Sequence, residues 1–392
     1  MKISRICLVI LLAVGLIGIG KYLQESIAAL QDYKKVQTLE ALARSTTTWS
    51  DATVALSLER SVTQVALSVT GPTPTAFVKM IRDQRALSDR TFQNALAELD
   101  AVDFPTKDQF IERAQEHRAT FKKLRTEVDA MLASEGTDRP KNRVKDLPFE
   151  LKAQITSLKL LSKLLTIENS LTSSTVAALT NIENAAWEIR EFGGRARTYY
   201  ATATLNGTAI PSDLKKLINA DSLRAANAWG ILQDQLELVA LDPEFKQKIT
   251  TAGGRYFGTY LPVLERLDAA MDGASGAAEI TYPVTFDDFF KLSNTALADM
   301  ANISQDAGTQ LRLYWESDRQ SHLYSLLLNA SMMIFDVLCV CAALYFVATR
   351  LANRIEYASQ AIEAVTKGEL DQEIDEREND LLEIKRLTSS LK

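Results

Sequence analysis

The sequence predicts an all-α protein, and three observations support this fold class. Apolar residues recur every three or four positions along most of the chain, which is the spacing of an amphipathic helix face. The 392 residues include only 16 glycines and 9 prolines, and only 7% are aromatic. Two long apolar segments lie towards the two ends of the chain, and each has the length of a membrane-spanning helix. This composition favours helices and disfavours β-sandwiches and barrels.

The composition also argues against several function classes. The chain has a net charge of -6 and so lacks the excess of basic residues that a nucleic-acid-binding protein needs. No nucleic acid is therefore expected as a partner. The two histidines are not spaced as metal ligands, and the chain holds no motif for nucleophilic catalysis. We therefore expect no metal, no cofactor and no enzymatic activity.

The first apolar segment defines a predicted transmembrane helix at residues 1–22, with a short cytoplasmic start. Lys2 and Arg5 precede the apolar run, which from Ile3 extends over about 18 residues and is just long enough to cross a bilayer. A cleaved signal peptide is the alternative, because such peptides also begin with basic residues. The helical pattern continues without a break through Leu30, which favours an uncleaved anchor.

The second apolar segment, residues 323–348, is a predicted transmembrane helix with an acidic residue near its centre. Asp336 is costly in a bilayer, so it is a candidate for a role in signalling. The alternative is that Asp336 stays protonated in a dimer interface and bonds to a backbone group or to a hydroxyl such as that of Ser331. Arg350 and Arg354 follow this segment. The positive-inside rule then places both chain ends in the cytoplasm and residues 23–322 on the other side.

Residues 23–322 carry helical periodicity throughout. Two apolar faces illustrate it: Leu179, Ile182, Ala186 and Ile189, and Ile155, Leu158, Leu161 and Leu165. Glycine and proline interrupt the pattern at 71–74, 104–105, 136–148, 206–211, 242–243, 253–254 and 273–283. Thr73, Asp242 and Thr285 are suited to cap the helices that follow such breaks.

A weak internal repeat with a spacing of about 135 residues relates the two halves of this region. Each copy is a helix, a turn and a second helix, with an arginine near the centre of the first helix, and the two copies start near Leu56 and Ala186. One such unit cannot bury both of its faces alone. The repeat therefore predicts two stacked helical bundles.

Two segments of this repeat carry a family resemblance. Glu59-Arg60-Ser-Val-Thr-Gln-Val-Ala and Gly193-Gly-Arg195-Ala-Arg197 resemble segments of nitrate- and nitrite-sensing (NIT) domains, and residues 258–264 and 282–289 are similar to the end of that family. The resemblance implies an extracytoplasmic double helical bundle that holds a small anion between helices through arginines. It assigns ligand binding to Arg60 and Arg195, with Arg190 and Arg197 as neighbours.

Arginine chemistry supports the same expectation independently. A guanidinium group offers a planar set of donors that matches an oxyanion, and two facing arginines repel each other unless an anion joins them. The alternative is that Arg60 pairs with a carboxylate such as Glu59 or Glu191, while Arg195 and Arg197 form a solvated face.

Residues 349–392 resemble the HAMP linker of bacterial receptors. A heptad stripe from Leu351 to Val365 precedes Gly368-Glu-Leu370-Asp-Gln-Glu-Ile374, a polar stretch and a second apolar stripe. The resemblance implies a cytoplasmic parallel coiled coil formed by two copies of the chain. It assigns relay roles to Gly368, Leu370 and Ile374, and we add Asp336 to this set.

Together these features predict a multi-pass receptor in the inner membrane of a bacterium, with a periplasmic sensor region. It would sense a small molecule or anion and pass the signal through a homodimeric HAMP linker to a cytoplasmic output or signalling partner absent from this sequence. Family resemblance favours an output of the methyl-accepting chemotaxis type. The alternatives are the sensor part of a histidine kinase or diguanylate cyclase, and a membrane-anchored scaffold that binds proteins.

Overall fold

The computed structural model describes residues 2–170, 173–274 and 279–346, together with 359–360, 362–363 and 366–367. Side chains are outside this description at residues 2–8, 11 and 166–170. The helices in this part of the chain are α1 (Lys2–Leu67), α2 (Thr75–Asp100), α3 (Lys107–Leu132), α4 (Lys141–Ser170), α5 (Ser174–Asn206), α6 (Ser212–Leu238), α7 (Pro243–Arg255), α8 (Leu261–Gly273) and α9 (Phe286–Phe346). The described residues include no strand, and the predicted all-α class is confirmed.

Two of the predicted helix caps are present. The Asp242 carboxylate accepts a hydrogen bond from the Phe245 backbone nitrogen at 3.0 Å, and Pro243 opens α7. The Thr285 hydroxyl accepts from the Asp288 backbone nitrogen at 3.2 Å before α9. Each cap satisfies a donor that the first helical turn leaves without a partner.

Other helix boundaries differ from the sequence prediction. Pro74, not Thr73, is the N-cap of α2, and the Thr73 hydroxyl instead donates to the Leu132 carbonyl at 3.3 Å. The predicted break at 136–148 is reduced to a short 3₁₀ helix, Gly136–Asp138, and a brief connection, because Pro148 lies inside α4. The predicted break at 253–254 is wrong, since both glycines lie within α7, which continues into a π-helical segment, Tyr256–Tyr260.

The chain divides into two compact units. The central unit comprises residues 36–317, and the terminal unit comprises residues 1–35 and 318–392. Buried apolar side chains of the central unit form two clusters. One cluster lies among α1, α2, α3 and α4, where Trp49 packs edge-on against Phe92 and Phe110 with ring centroids 5.2 Å apart. The other lies among α5, α6, α7, α8 and α9, with contributions from α1 and α2.

In the terminal unit, α1 and α9 approach each other through small residues. A Cβ added to Gly15 would collide with Val340, and one added to Gly18 would collide with the Asp336 carboxylate. Among the residues that the structure describes, one helix, Phe286–Phe346, is long and apolar enough to cross a membrane, and its most apolar stretch has a mean hydropathy of 2.1. The first span stays a prediction, since several of its side chains are among those not described.

The predicted relay positions Gly368, Leu370 and Ile374 lie outside the described residues, as does most of the region 349–392. Its predicted coiled coil therefore stays a prediction.

Candidate anion site between α1, α4, α5 and α6

The four arginines that the sequence singled out lie on two neighbouring helices of the central unit. Arg60 is on α1, and Arg190, Arg195 and Arg197 are on α5. Arg60, Arg190 and Arg197 are only 3%, 4% and 2% exposed. Burial of several cations in one region is costly unless anions compensate them. The partners of these guanidinium groups therefore decide what the site can do.

Glu191 is the carboxylate at the centre of this group. Arg60 Nη1 donates to Glu191 Oε1 at 2.7 Å, and the Ser57 hydroxyl donates to Glu191 Oε2 at 2.8 Å. Arg190 Nη1 lies 3.6 Å from the same Oε2. Burial raises the pKa of Glu191, but Arg60 and Arg190 outweigh that effect, and the net result is a lowered pKa. Glu191 is therefore held as an anion between two cations.

Arg60 pairs with a carboxylate, as one of the two alternatives from the sequence holds, and Glu191 is that carboxylate. Glu59, the other carboxylate considered, is bound by a different arginine. Arg125 donates through Nε and Nη2 to the two oxygens of Glu59, both at 2.7 Å, and the Ser88 hydroxyl donates to it at 2.6 Å. Neighbouring residues on α1 thus serve separate polar clusters.

The second part of that alternative, a solvated face formed by Arg195 and Arg197, is wrong. Arg195 donates to the Asp221 carboxylate of α6, and its guanidinium lies 5.0 Å from the centre of the Phe192 ring. Arg197 donates to the Ser61 hydroxyl at 2.6 Å and also to the Asn294 side chain. Both arginines lie within the helical packing because α5 is enclosed by α1, α6 and α9 along this stretch.

A cavity of about 100 Å³ opens beside Arg60 and Arg195. Four helices line it, and among the described residues its charged lining consists of Arg60, Lys152, Arg195, Arg224 and Asp221. Four cations and one carboxylate therefore line the cavity, and a second carboxylate, Glu191, is bound to Arg60. Gln64 and Tyr199 add neutral polar groups to the same wall. The volume is about three times the share that one water molecule takes in the liquid, which suits a small oxyanion.

The charges around the cavity perturb one another. Burial and the nearby Arg195 lower the pKa of Lys152. Burial also lowers the pKa of Arg195, against the opposing effect of Asp221. Burial raises the pKa of Asp221, despite its neighbours Arg195 and Lys152. Burial is the largest cause in all three groups, so their charged forms are poorly solvated here, and an anion that bonds to the cations would stabilise them.

The sequence identifies Arg60 and Arg195 as residues of this site but does not identify Lys152, Arg224 and Asp221. Asp221 and Arg224 are three residues apart on α6, a spacing that places them on one helix face. No signal in the sequence pairs that face with α5. Lys152 comes from α4, whose contribution depends on how the two apolar clusters meet and is not encoded in local periodicity.

Asp336 belongs to the terminal unit, whereas the residues that line this cavity belong to the central unit. It is half-buried on α9 and faces Gly18 of α1. The Ser331 hydroxyl, considered above as its partner, donates to the Leu328 carbonyl of its own helix at 2.8 Å.

Within the described residues, no cluster of three or more histidine, cysteine, aspartate or glutamate side chains is arranged to hold a metal ion. Comparison of the chain with protein-family models, with curated proteins and with solved structures finds no match.

Proposed function

We propose that the chain is the sensory and transmembrane portion of a bacterial signal-transduction receptor, whose central unit binds a small anion in the cavity beside Arg60 and Arg195. The observation that carries the proposal is the excess of positive charge around that cavity, where Arg60, Lys152, Arg195 and Arg224 outnumber two carboxylates, Asp221 in the lining and Glu191 bound to Arg60. A bound oxyanion would restore the balance and accept hydrogen bonds from several directions.

The membrane part of the proposal rests on the apolar ends of the chain. The exposed surface of the terminal unit is rich in large apolar side chains, among them Leu16, Ile17, Leu338 and Tyr345. Such a surface is unfavourable in water and suits lipid. We propose a multi-pass inner-membrane protein with two spans, a periplasmic central unit of two stacked NIT-like bundles, and both ends in the cytoplasm.

The relay part of the proposal follows the HAMP resemblance of residues 349–392. Two copies of the chain would pair through their heptad stripes, and ligand binding outside would bias one of two packings inside. A methyl-accepting chemotaxis output is the proposed readout, and a histidine kinase or diguanylate cyclase output is the alternative. In either case a cytoplasmic signalling partner or output domain would receive the signal.

Calorimetric titration of the full chain in lipid nanodiscs tests the anion site. Nitrate, nitrite and acetate are the probes. We expect at least one of them to bind, and we expect Lys152→Gln to weaken that binding by about tenfold, since it removes one cation from the wall. Lys141→Gln is the matched control, because Lys141 lies on the same helix but does not line the cavity.

The outcomes separate a receptor from a scaffold. A solute that binds the native state raises its melting temperature by mass action. If none of the three probes binds and none shifts the melting temperature, the anion receptor is excluded and the protein-binding scaffold is favoured. Equal losses in Lys152→Gln and Lys141→Gln would contradict the assignment of the cavity.

A further inference from the structure

A second cavity lies on the opposite faces of α1 and α5. Its volume is about 260 Å³, and it is lined by residues of α1, α2, α5 and α9. It shares no lining residue with the first cavity. On α5 the first cavity is lined by Arg195 and the second by Arg197. Because successive residues of a helix turn by about 100°, positions two apart point to nearly opposite sides.

The inner end of this second cavity is cationic. Arg190 and Arg197 line it, and both are almost fully buried. Among the described residues Arg197 has no carboxylate partner and its Nε has no hydrogen-bond acceptor. Arg190 lies 3.6 Å from the Glu191 carboxylate, which is already bound at shorter distance by Arg60 and Ser57. Two buried guanidinium groups thus face the cavity with little compensation.

Burial lowers the pKa of Arg190 to about 10 and that of Arg197 to about 10. Both remain cationic at neutral pH. A buried cation without a close anion is unfavourable, so an anion entering here would gain more than at an exposed arginine.

The rest of the lining is largely apolar. Leu58, Val62, Met80 and Leu297 contribute side chains, and the Phe290 ring lies 5.4 Å from the Arg197 guanidinium. Ala298 and Asn302 of α9 are exposed and mark the side that faces solvent. A ligand entering from this side would meet apolar walls and then two guanidinium groups.

We propose that this second cavity binds a small organic monocarboxylate whose tail is apolar, in the size class of benzoate or hexanoate. The carboxylate would accept hydrogen bonds from Arg190 and Arg197, and the tail would lie against Leu58, Val62 and Leu297. A single charge suits the site, because the walls cannot solvate a second one. The volume lies just below the range of drug-sized pockets, which begins at about 300 Å³. This site is independent of the anion site proposed above.

Calorimetry on the full chain in nanodiscs tests the second site with benzoate as the probe. The matched variants are Ala298→Trp, which fills the second cavity from its exposed side, and Ala220→Trp, which fills the first cavity from an equally exposed position. Neither alanine is buried, so both variants are expected to keep the melting temperature of the parent protein. We expect Ala298→Trp to weaken benzoate binding by at least about tenfold and Ala220→Trp to leave it within about twofold.

Benzamide, which has the same shape without the charge, is expected to bind at least about tenfold more weakly than benzoate, because it offers no carboxylate to the arginines. The proposal is overturned if benzoate does not bind, if Ala298→Trp leaves its affinity unchanged, if Ala220→Trp abolishes its binding, or if benzamide binds equally well. Titration of the same samples with nitrate, nitrite and acetate keeps the two sites distinct, since benzoate binding when none of these three binds contradicts only the first proposal.

Discussion

Arg139 is a loop residue whose buried side chain joins two connections of the central unit, the one between α1 and α2 and the one between α3 and α4. Its guanidinium donates to five backbone carbonyl groups, those of Met131, Ala66, Leu67, Val69 and Ser134, and also to the Thr73 hydroxyl. The chain therefore uses one side chain to satisfy the carbonyl ends of both α1 and α3. Helix ends that are buried without such a partner are unfavourable.

We predict that Arg139→Met lowers the free energy of unfolding by about 2–4 kcal/mol, because it leaves several buried carbonyls without donors. Lysine at this position should recover little, since its ammonium has only three donors and no planar fork. Denaturant unfolding followed by tryptophan fluorescence measures the change. Arg266→Met, at an exposed arginine of α8, should cost less than about 0.5 kcal/mol. Similar losses in both variants would contradict the role of Arg139.

A second prediction at the scale of single residues concerns Glu191. Removal of its charge in Glu191→Gln should lower stability at neutral pH by about 3 kcal/mol, since Arg60 and Arg190 lose their shared anion. The pKa of Glu191 is lowered in the folded chain from its ordinary value of 4.5. Its contribution is therefore complete above pH 4.5 and is lost as the pH falls through the lowered value.

The difference in melting temperature between Glu191→Gln and the parent should accordingly shrink as the pH falls below 4.5 and through the lowered pKa of Glu191. Glu265→Gln, at an exposed position of α8, serves as the control and should show no such convergence. A gap that stays constant across this range would mean that the charge of Glu191 is not what stabilises the fold.

The residues of the anion site illustrate what the sequence can and cannot predict. Arg60 and Arg195 could be predicted because each lies in a segment that resembles a known sensor family, although Arg60 lies near the C-terminal end of α1 and not at the centre of a helix as predicted. The sequence does not decide whether Arg60 pairs with Glu191 or with Glu59. Both carboxylates lie close to an arginine in the sequence, and only the direction in which each faces its neighbouring helix separates them.

At the scale of helices, the two members of a Gly-Gly pair can have different amounts of space around them. In α5 a Cβ at Gly193 would fall 2.5 Å from the Tyr256 hydroxyl and 2.9 Å from Leu297, whereas one at Gly194 would make only an ordinary contact with Leu297 at 3.9 Å. Gly193 thus permits close approach between α5 and the π-helical segment. The pair Gly253-Gly254 shows the same contrast, because a Cβ at Gly253 would collide with Trp229 while Gly254 faces open space. Gly253 therefore permits close packing within a continuous helix and does not mark the predicted break.

We predict opposite effects for the two substitutions in α5. Gly193→Ala should destabilise the central unit by about 1–3 kcal/mol through overpacking. Gly194→Ala should stabilise it by about 0.5–1 kcal/mol, since alanine loses less conformational freedom in a helix than glycine. Denaturant unfolding of the two variants in parallel measures both changes. Equal effects of the same sign would refute the close approach at Gly193.

A buried ion pair joins α4 and α5. Lys159 and Glu183 are 3% and 2% exposed, their charged atoms lie 3.8 Å apart, and Glu183 Oε1 has no hydrogen-bond partner among the described residues. Burial raises the pKa of Glu183 and lowers that of Lys159, which means that desolvation outweighs their mutual attraction. The ammonium also lies 5.2 Å from the centre of the Trp187 ring.

The pair should therefore be more costly to break than to replace. We predict that Lys159→Met or Glu183→Leu alone destabilises the chain by about 3–5 kcal/mol, whereas the double variant is neutral or more stable by about 1–4 kcal/mol. A double-mutant cycle measured by denaturant unfolding gives the coupling between the two residues. Additive losses in the double variant would contradict this account.

At the scale of the whole chain, the division into a central and a terminal unit agrees with where the apolar residues lie in the sequence. Long apolar runs near both ends are visible without a structure because their length alone distinguishes them from amphipathic helices. How α2, α3 and α4 assemble around one apolar cluster was not visible, because amphipathic stripes of similar composition do not specify their partners.

The two units also lead to a topological prediction. Both Ala220 in the central unit and Ser389 near the C-terminal end can be replaced by cysteine, and the native cysteines all lie in the two predicted spans. If the basic residues that flank each span face the cytoplasm, a charged maleimide added to intact cells should label Ala220→Cys and should label Ser389→Cys only after the inner membrane is permeabilised. The parent protein reports labelling of the native cysteines. Equal labelling of both variants before permeabilisation would place them on one side of the membrane, and neither a periplasmic anion site nor a cytoplasmic relay could then belong to the same receptor.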